Sequence, residues 1–161
     1  MLEDTLATIE NLRLATAIRE EGLLFPWIES IHVLALVLVV GFILIVDLRL
    51  IGLASKKRGV AQLASNALPI TWGAFAVAVI SGSLLFISNA VSYWDNVFFQ
   101  IKLVLILLAG VNMFAFHHLV AHDMSEWQTP DTTPVLAKAA GAISMLLWIG
   151  VVICGRWIGF V

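Results

Sequence analysis

Four apolar stretches, at roughly residues 28–53, 68–90, 97–120 and 134–160, approach or exceed the length of about 20 residues that a bilayer core demands of a helix. Inside hydrocarbon the backbone has no water to bond with, so a segment of this length must satisfy itself as a helix. The chain has 161 residues, 61% of them hydrophobic and 12% charged, with a mean hydropathy of +1.00. That leaves too little polar surface for a soluble domain. The pattern predicts an all-α fold, a transmembrane four-helix bundle forming a single integral membrane domain over residues 1–161.

Ahead of the first span, Leu2, Leu6, Ile9, Leu12, Ala15 and Ile18 recur at helical spacing, flanked by Glu3, Asp4, Glu10, Arg13, Glu20 and Glu21. This predicts an amphipathic helix within residues 1–25, lying in the membrane interface. Gly22 and Pro26 break it, and Trp27 marks the entry of the first span. No basic stretch precedes a short apolar core, so no cleavable signal peptide is expected. The net charge of −2 and the lack of any basic run beyond Lys56-Lys57-Arg58 argue against nucleic acid as a partner. One cysteine, Cys154, excludes an internal disulfide or a thiolate metal cluster and reads as inert packing.

The face where the first span begins is side A. Alternation puts the 54–67 and 121–133 loops on side B, and the 91–96 loop and C-terminus on side A. Arg49, Lys56, Lys57 and Arg58 gather on side B, while the N-terminal segment is mostly acidic. The positive-inside rule then makes side B cytoplasmic and both termini periplasmic, in a bacterial inner membrane.

This topology sorts the polar residues into two layers. His32 lies five residues past Trp27, and Lys102 five past Val97. At ~1.5 Å per residue both sit roughly 7–8 Å into the membrane from side A. Glu29, one turn above His32, and Arg156, near the end of the fourth span, join that layer. Side B holds Asp47 and Arg49, then His117, His118 and His122. His32 and His117 are roughly 20 Å apart along the membrane normal, too far to be the two axial ligands of one haem in one protomer.

Each residue also has a plain reading. Glu29 would pair with Lys102 or Arg156, as intramembrane charges do inside bundles. The side B histidines would be solvated or hydrogen-bonded, although His118 and His122 have the i,i+4 spacing that suits a metal. Gly41, Gly82, Gly110 and Gly141 would be helix contacts, and Trp27, Trp94, Trp127 and Trp157 an aromatic belt. Against these stands the co-location on side A. A histidine and a lysine at one depth can face each other across haem b, whose iron takes imidazole readily and accepts the lone pair of a desolvated lysine. Gly82, between Ser81 and Ser83, would leave room for the macrocycle, and Arg156 would meet a propionate.

The third-span pattern IKLVLILLAG, followed by an aromatic residue, His117 and His118, resembles HemJ-type protoporphyrinogen oxidases and CopD-like membrane domains. In the former, the resemblance implies a b-type haem at a first-span histidine and a third-span lysine, here His32 in SIHVLALVLVVG and Lys102 in FFQIKLVLILL. His117 matches a further histidine of that family, with Phe116 in place of its tyrosine. The FPWIESIHVL entry, the DLRLIGL exit and the spaced Tyr93, Asn96, Phe99, Lys102, Gly110, Asn112 and His117 resemble small bacterial membrane proteins over about residues 18–120.

The expectation is therefore a haem b membrane protein acting in electron transfer or oxidation of a small reduced molecule. His32 and Lys102 would meet the iron, Glu29, Gly82 and Arg156 would line the cofactor, and His117 is a weaker metal candidate. The bilayer is one partner, a redox protein or quinone another, and a homo-oligomer is compatible. A metal or small-solute transporter, with Glu29, Lys102, Asp47 and the histidines marking a path, is one rival. A cofactor-free structural subunit of a larger membrane complex is the other. The topology is open to direct measurement. In a Cys154-free background, a cysteine at Ser55 should be labelled only from the cytoplasm and one at Asp95 only from the periplasm; the opposite pattern reverses the orientation.

Overall fold

The computed structural model describes residues 2–55, 57–121, 124, 127 and 132–160. The elements are α1 (Leu2–Glu10), α2 (Arg13–Glu20), α3 (Leu24–Ile51), α4 (Val60–Ser88), α5 (Ala90–Asp95), α6 (Val97–Ala115), a π-helical turn (Phe116–Val120) and α7 (Val135–Trp157). No strand occurs among the described residues. Four helical segments are long and apolar enough to span: α3 with 28 residues, α4 with 29, α6 plus the π turn with 24, and α7 with 23. At ~1.5 Å per residue each exceeds the roughly 30 Å of a hydrocarbon core. The protein is an all-α multi-pass membrane bundle.

The helices pack in the order α4, α3, α7, α6. The outer pair, α4 and α6, meet on side A through the stacked rings of Phe86 and Phe99, 5.3 Å between centroids. At mid-depth Val39, Ala74, Ala109, Trp148 and Val151 form one apolar core. Leu50, Val60, Trp127 and Ala137 form a second on side B. Leu34, Leu107 and Leu146 point outward, where lipid replaces water and their exposure costs nothing. Helices that are apolar all round give periodicity nothing to read. Small residues set the contacts instead.

A Cβ on Gly141 would lie 3.1 Å from Leu50 Cβ and 3.3 Å from the Asp47 carbonyl oxygen, so α7 approaches the α3 backbone there. Gly150 leaves room for the tip of the Leu105 side chain of α6, 3.0 Å from a built Cβ. Gly41 and Gly110, expected to be helix contacts, have nothing within 4 Å of a built Cβ.

Several boundaries differ from the sequence expectation. The second span begins at Val60, not near 68. Val60, Leu63, Ala64 and Ala67 are buried at i, i+3, i+4, i+7, while Gln62, Ser65 and Asn66 face out, so the apparently polar loop is one face of the helix. Pro69 lies inside α4. The loop before it is short because Gly52, at φ 88°, ends α3 in the left-handed region and donates to the Arg49 carbonyl.

The N-terminal segment is two helices, not one, with the break at Asn11–Leu12. Both dock on protein: Leu6, Ala15 and Ile18 are buried, and Arg19 Nη1 donates to the Ser88 carbonyl at 2.9 Å while pairing with Glu10 at 3.6 Å. Glu10 in turn accepts from the Val91 amide, 3.1 Å away. These contacts fasten the segment over the α4–α5 corner on side A.

Arg49, counted above as a cytoplasmic marker, is fully buried. Its Nε donates to the Arg58 carbonyl at 2.7 Å and Nη2 to the Trp127 carbonyl at 3.3 Å. Trp127 is core rather than belt, 3% exposed. Lys56 and His122 lie outside the described residues.

Replacing Gly141 with valine should destabilise the bundle by about 1–3 kcal/mol, because neither the Leu50 Cβ nor the α3 backbone can move aside. Gly41→Ala, in open space, should be neutral or slightly stabilising. Unfolding in mixed micelles compares the two; equal effects would mean that α3 and α7 do not meet as described.

Candidate functional site

On side A, His32 is oriented by contacts to α4. The half-buried imidazole leans on α4, with Nδ1 3.0 Å from the Ala78 carbonyl and 3.0 Å from Ser81 Oγ. A carbonyl only accepts. Ser81 has already used its hydroxyl hydrogen, donating to the Val77 carbonyl at 2.7 Å. Nδ1 must therefore carry the ring proton in the neutral form, which leaves Nε2 with a free lone pair. No group among the described residues bonds to Nε2.

Gly82 explains how the ring fits. A Cβ there would fall 2.9 Å from His32 Cε1. The glycine clears space for the imidazole itself, not for a macrocycle as the sequence suggested.

Lys102 is half-buried on α6, and its Nζ lies 3.3 Å from a Cβ built on Gly155 of α7. It is within electrostatic reach of His32 and of the buried Cys154 thiol. No hydrogen bond or ion pair reaches it among the described residues. Glu29, the expected counter-ion, is exposed and forms no ion pair among the described residues; its charge acts on Tyr93 of α5. Arg156 is exposed as well, its guanidinium 4.6 Å over the Phe160 ring. Of the five side A candidates, the structure brings together His32, Gly82 and Lys102, and leaves Glu29 and Arg156 at the rim.

Side B contains a cavity of about 280 Å³ lined by α3, α4, α6 and α7. Asp47 faces it, and so do Thr71, Asn112, His117 and Ser144. His117 is exposed, and its Nδ1–H donates to the Met113 carbonyl at 3.0 Å. His118 is exposed and rests on Phe114, 4.1 Å between ring centres. No group of three metal-ligating side chains occurs among the described residues. Asn112 is accounted for by its amide, which donates to the Ala140 carbonyl of α7 at 3.0 Å. Sequence reasoning placed Asp47 at a span end but missed the cavity, because Ser144 and Thr71 carry no signal until the helices are assembled.

Residues 18–161 match the model of DUF6644, a family of unknown function. The chain belongs to this family. The match takes in all four spans and leaves out α1 and most of α2. Comparison with curated proteins and with solved structures gives no match.

Tyr93 is the single tyrosine of the chain and lies between spans, so its titration can be read alone. Burial pushes its phenol above the ordinary tyrosine range, and the nearby Glu29 carboxylate pushes it further. Both effects penalise the phenolate. The near-ultraviolet phenolate band should therefore appear at higher pH than in the unfolded chain, and Glu29→Gln should move it part of the way back. An unmoved titration in that variant would separate Glu29 from Tyr93.

Proposed function

We propose that this protein binds haem b on side A and serves in electron transfer or in oxidation of a small reduced molecule. The observation that carries the reading is His32: an imidazole in an apolar bundle, oriented by Nδ1 contacts to Ala78 and Ser81, with no partner on Nε2 among the described residues. Metal-bound histidines are oriented by this kind of hydrogen bond from the other ring nitrogen. Lys102 supports the reading too, since a half-buried amine near the imidazole, with no counter-ion among the described residues, is hard to explain as a helix-pairing charge. The oxidase resemblance, carried by His32 and Lys102, points the same way.

When bound, haem supplies one-electron chemistry. This chain would contribute His32 Nε2 as the firm ligand and Lys102 as the second ligand or polar neighbour. Gly82 keeps the imidazole in place. Arg156 at the rim, held loosely over Phe160, is free to turn toward a carboxylate on the cofactor edge. The natural redox partner is a quinone or another protein at the periplasmic face of a bacterial inner membrane, with both termini on that side.

The absorption spectrum tests this. Protein purified with adequate haem supply should show a Soret band, and b-type bands on reduction. His32→Ala should abolish or shift them. Gly82→Val, whose added carbons would invade the imidazole, should perturb the spectrum while leaving His32 in the chain. If Lys102 is a ligand, Lys102→Arg should change the spectrum as much as Lys102→Ala, since arginine supplies no neutral amine at accessible pH. A colourless preparation would overturn the haem reading altogether.

A further inference from the structure

The side B cavity poses a separate problem. Asp47 is 5% exposed, and its Oδ2 is buried with no hydrogen-bond partner among the described residues. Ser144 sits beside the carboxylate but leaves that oxygen unsatisfied. The other polar groups lining the cavity donate to backbone: Thr71 to Ala67 at 2.9 Å, Asn112 with one amide hydrogen to Ala140 at 3.0 Å, and His117 Nδ1 to Met113 at 3.0 Å. No lysine or arginine lines the cavity among the described residues. Arg49, two residues along α3, directs Nε and Nη2 at the Arg58 and Trp127 carbonyls of the side B loops.

What remains of the wall is apolar and aromatic, with Phe42, Trp72, Phe75, Phe116 and Trp148 around the space. Ring faces carry partial negative charge and attract cations, more strongly once water is removed. A carboxylate with a missing partner and a set of aromatic faces therefore select for the same sign of ligand. Trp72, Gly110 and Met113 line the cavity and are also exposed at mid-span, so its mouth opens toward the lipid, between α4 and α6. The occupant must dissolve in a bilayer.

We propose that this cavity is a binding site for a lipophilic organic cation, an amine or quaternary ammonium carried on an aromatic or branched apolar body. Its positive centre lies beside the Asp47 side chain, and its body fills the space walled by Trp72, Phe75 and Trp148. The site is independent of the haem reading. It lies roughly 22 Å from His32 along α3, at ~1.5 Å per residue.

The test uses two probes of one shape in phosphatidylcholine nanodiscs: benzyltrimethylammonium, and its uncharged isostere neopentylbenzene. Equilibrium dialysis of the radiolabelled compounds should show saturable binding of the cation by the full chain. Asp47→Asn preserves volume and removes the charge, and should weaken the cation by at least about ten-fold while leaving neopentylbenzene unchanged. Gly110→Leu, at a position with open space beside it, should fill the cavity and exclude both probes without touching Asp47. That variant keeps the test decisive if Asp47→Asn does not fold. Equal binding of the two probes, or cation binding that survives either substitution, would overturn the proposal; the first result would mean a groove for acyl chains only.

Discussion

The approach of α7 to the α3 backbone at Gly141 sets the rest of the bundle. With a Cβ position only 3.1 Å from Leu50 and 3.3 Å from the Asp47 carbonyl, these two helices occupy the centre. Two further helices then have one central neighbour each, α4 on α3 and α6 on α7. Four cylinders in this arrangement do not close of themselves. Where large side chains bridge the outer pair, as Phe86 and Phe99 do on side A, the gap is filled. Where Gly110 and Ala109 of α6 face Ala64 and Ala67 of α4, it remains open as the side B cavity. In membranes, association rests on packing and polar contacts rather than on expulsion of water, so the placing of small residues decides both the contacts and the voids.

Polar side chains follow the same logic at finer scale. Asn112 and His32 each turn a hydrogen toward a helix carbonyl across the interface, and buried Arg49 ties α3 to the loops through the Arg58 and Trp127 carbonyls. Each such bond removes the penalty of an unmet polar group in a medium with no water. Among the described residues, Asp47 Oδ2 and Lys102 depart from this economy, and Nε2 of His32 has no donor to accept from. Such departures are rare in folded interiors, where buried polar groups are nearly always hydrogen-bonded.

The class of fold was legible because span length is a property of composition, and composition survives in a one-dimensional reading. Side A was legible in part. Equal offsets from Trp27 and Val97 put His32 and Lys102 at one depth, but depth says nothing about azimuth, so Glu29 and Arg156 were placed in the layer although they turn outward. The start of α4 was missed because Gln62, Ser65 and Asn66 lower the local hydropathy while a buried stripe runs between them. Arg49 misled for a related reason: a basic residue near a span end is usually solvated, and only assembly shows this one enclosed by carbonyls. The cavity could not be read at all, since its polar lining comes from four helices with no common spacing.

A remaining question is whether the lysine of one layer and the carboxylate of the other neutralise each other at long range. Between them lies the apolar core of Val39, Trp148 and Val151. Two unit charges roughly 22 Å apart at an effective dielectric of about 20 attract by only about 0.8 kcal/mol. Desolvating either ion costs several kcal/mol, so the distant partner offsets a small fraction of that cost. Each group must be compensated where it stands. For Lys102 the neighbourhood offers His32 and Cys154, neither of them a carboxylate. For Asp47 it offers one serine and a ring of aromatic faces. The two layers are therefore electrostatically independent, Lys102 on α6 and Asp47 on α3 each answering to its own surroundings.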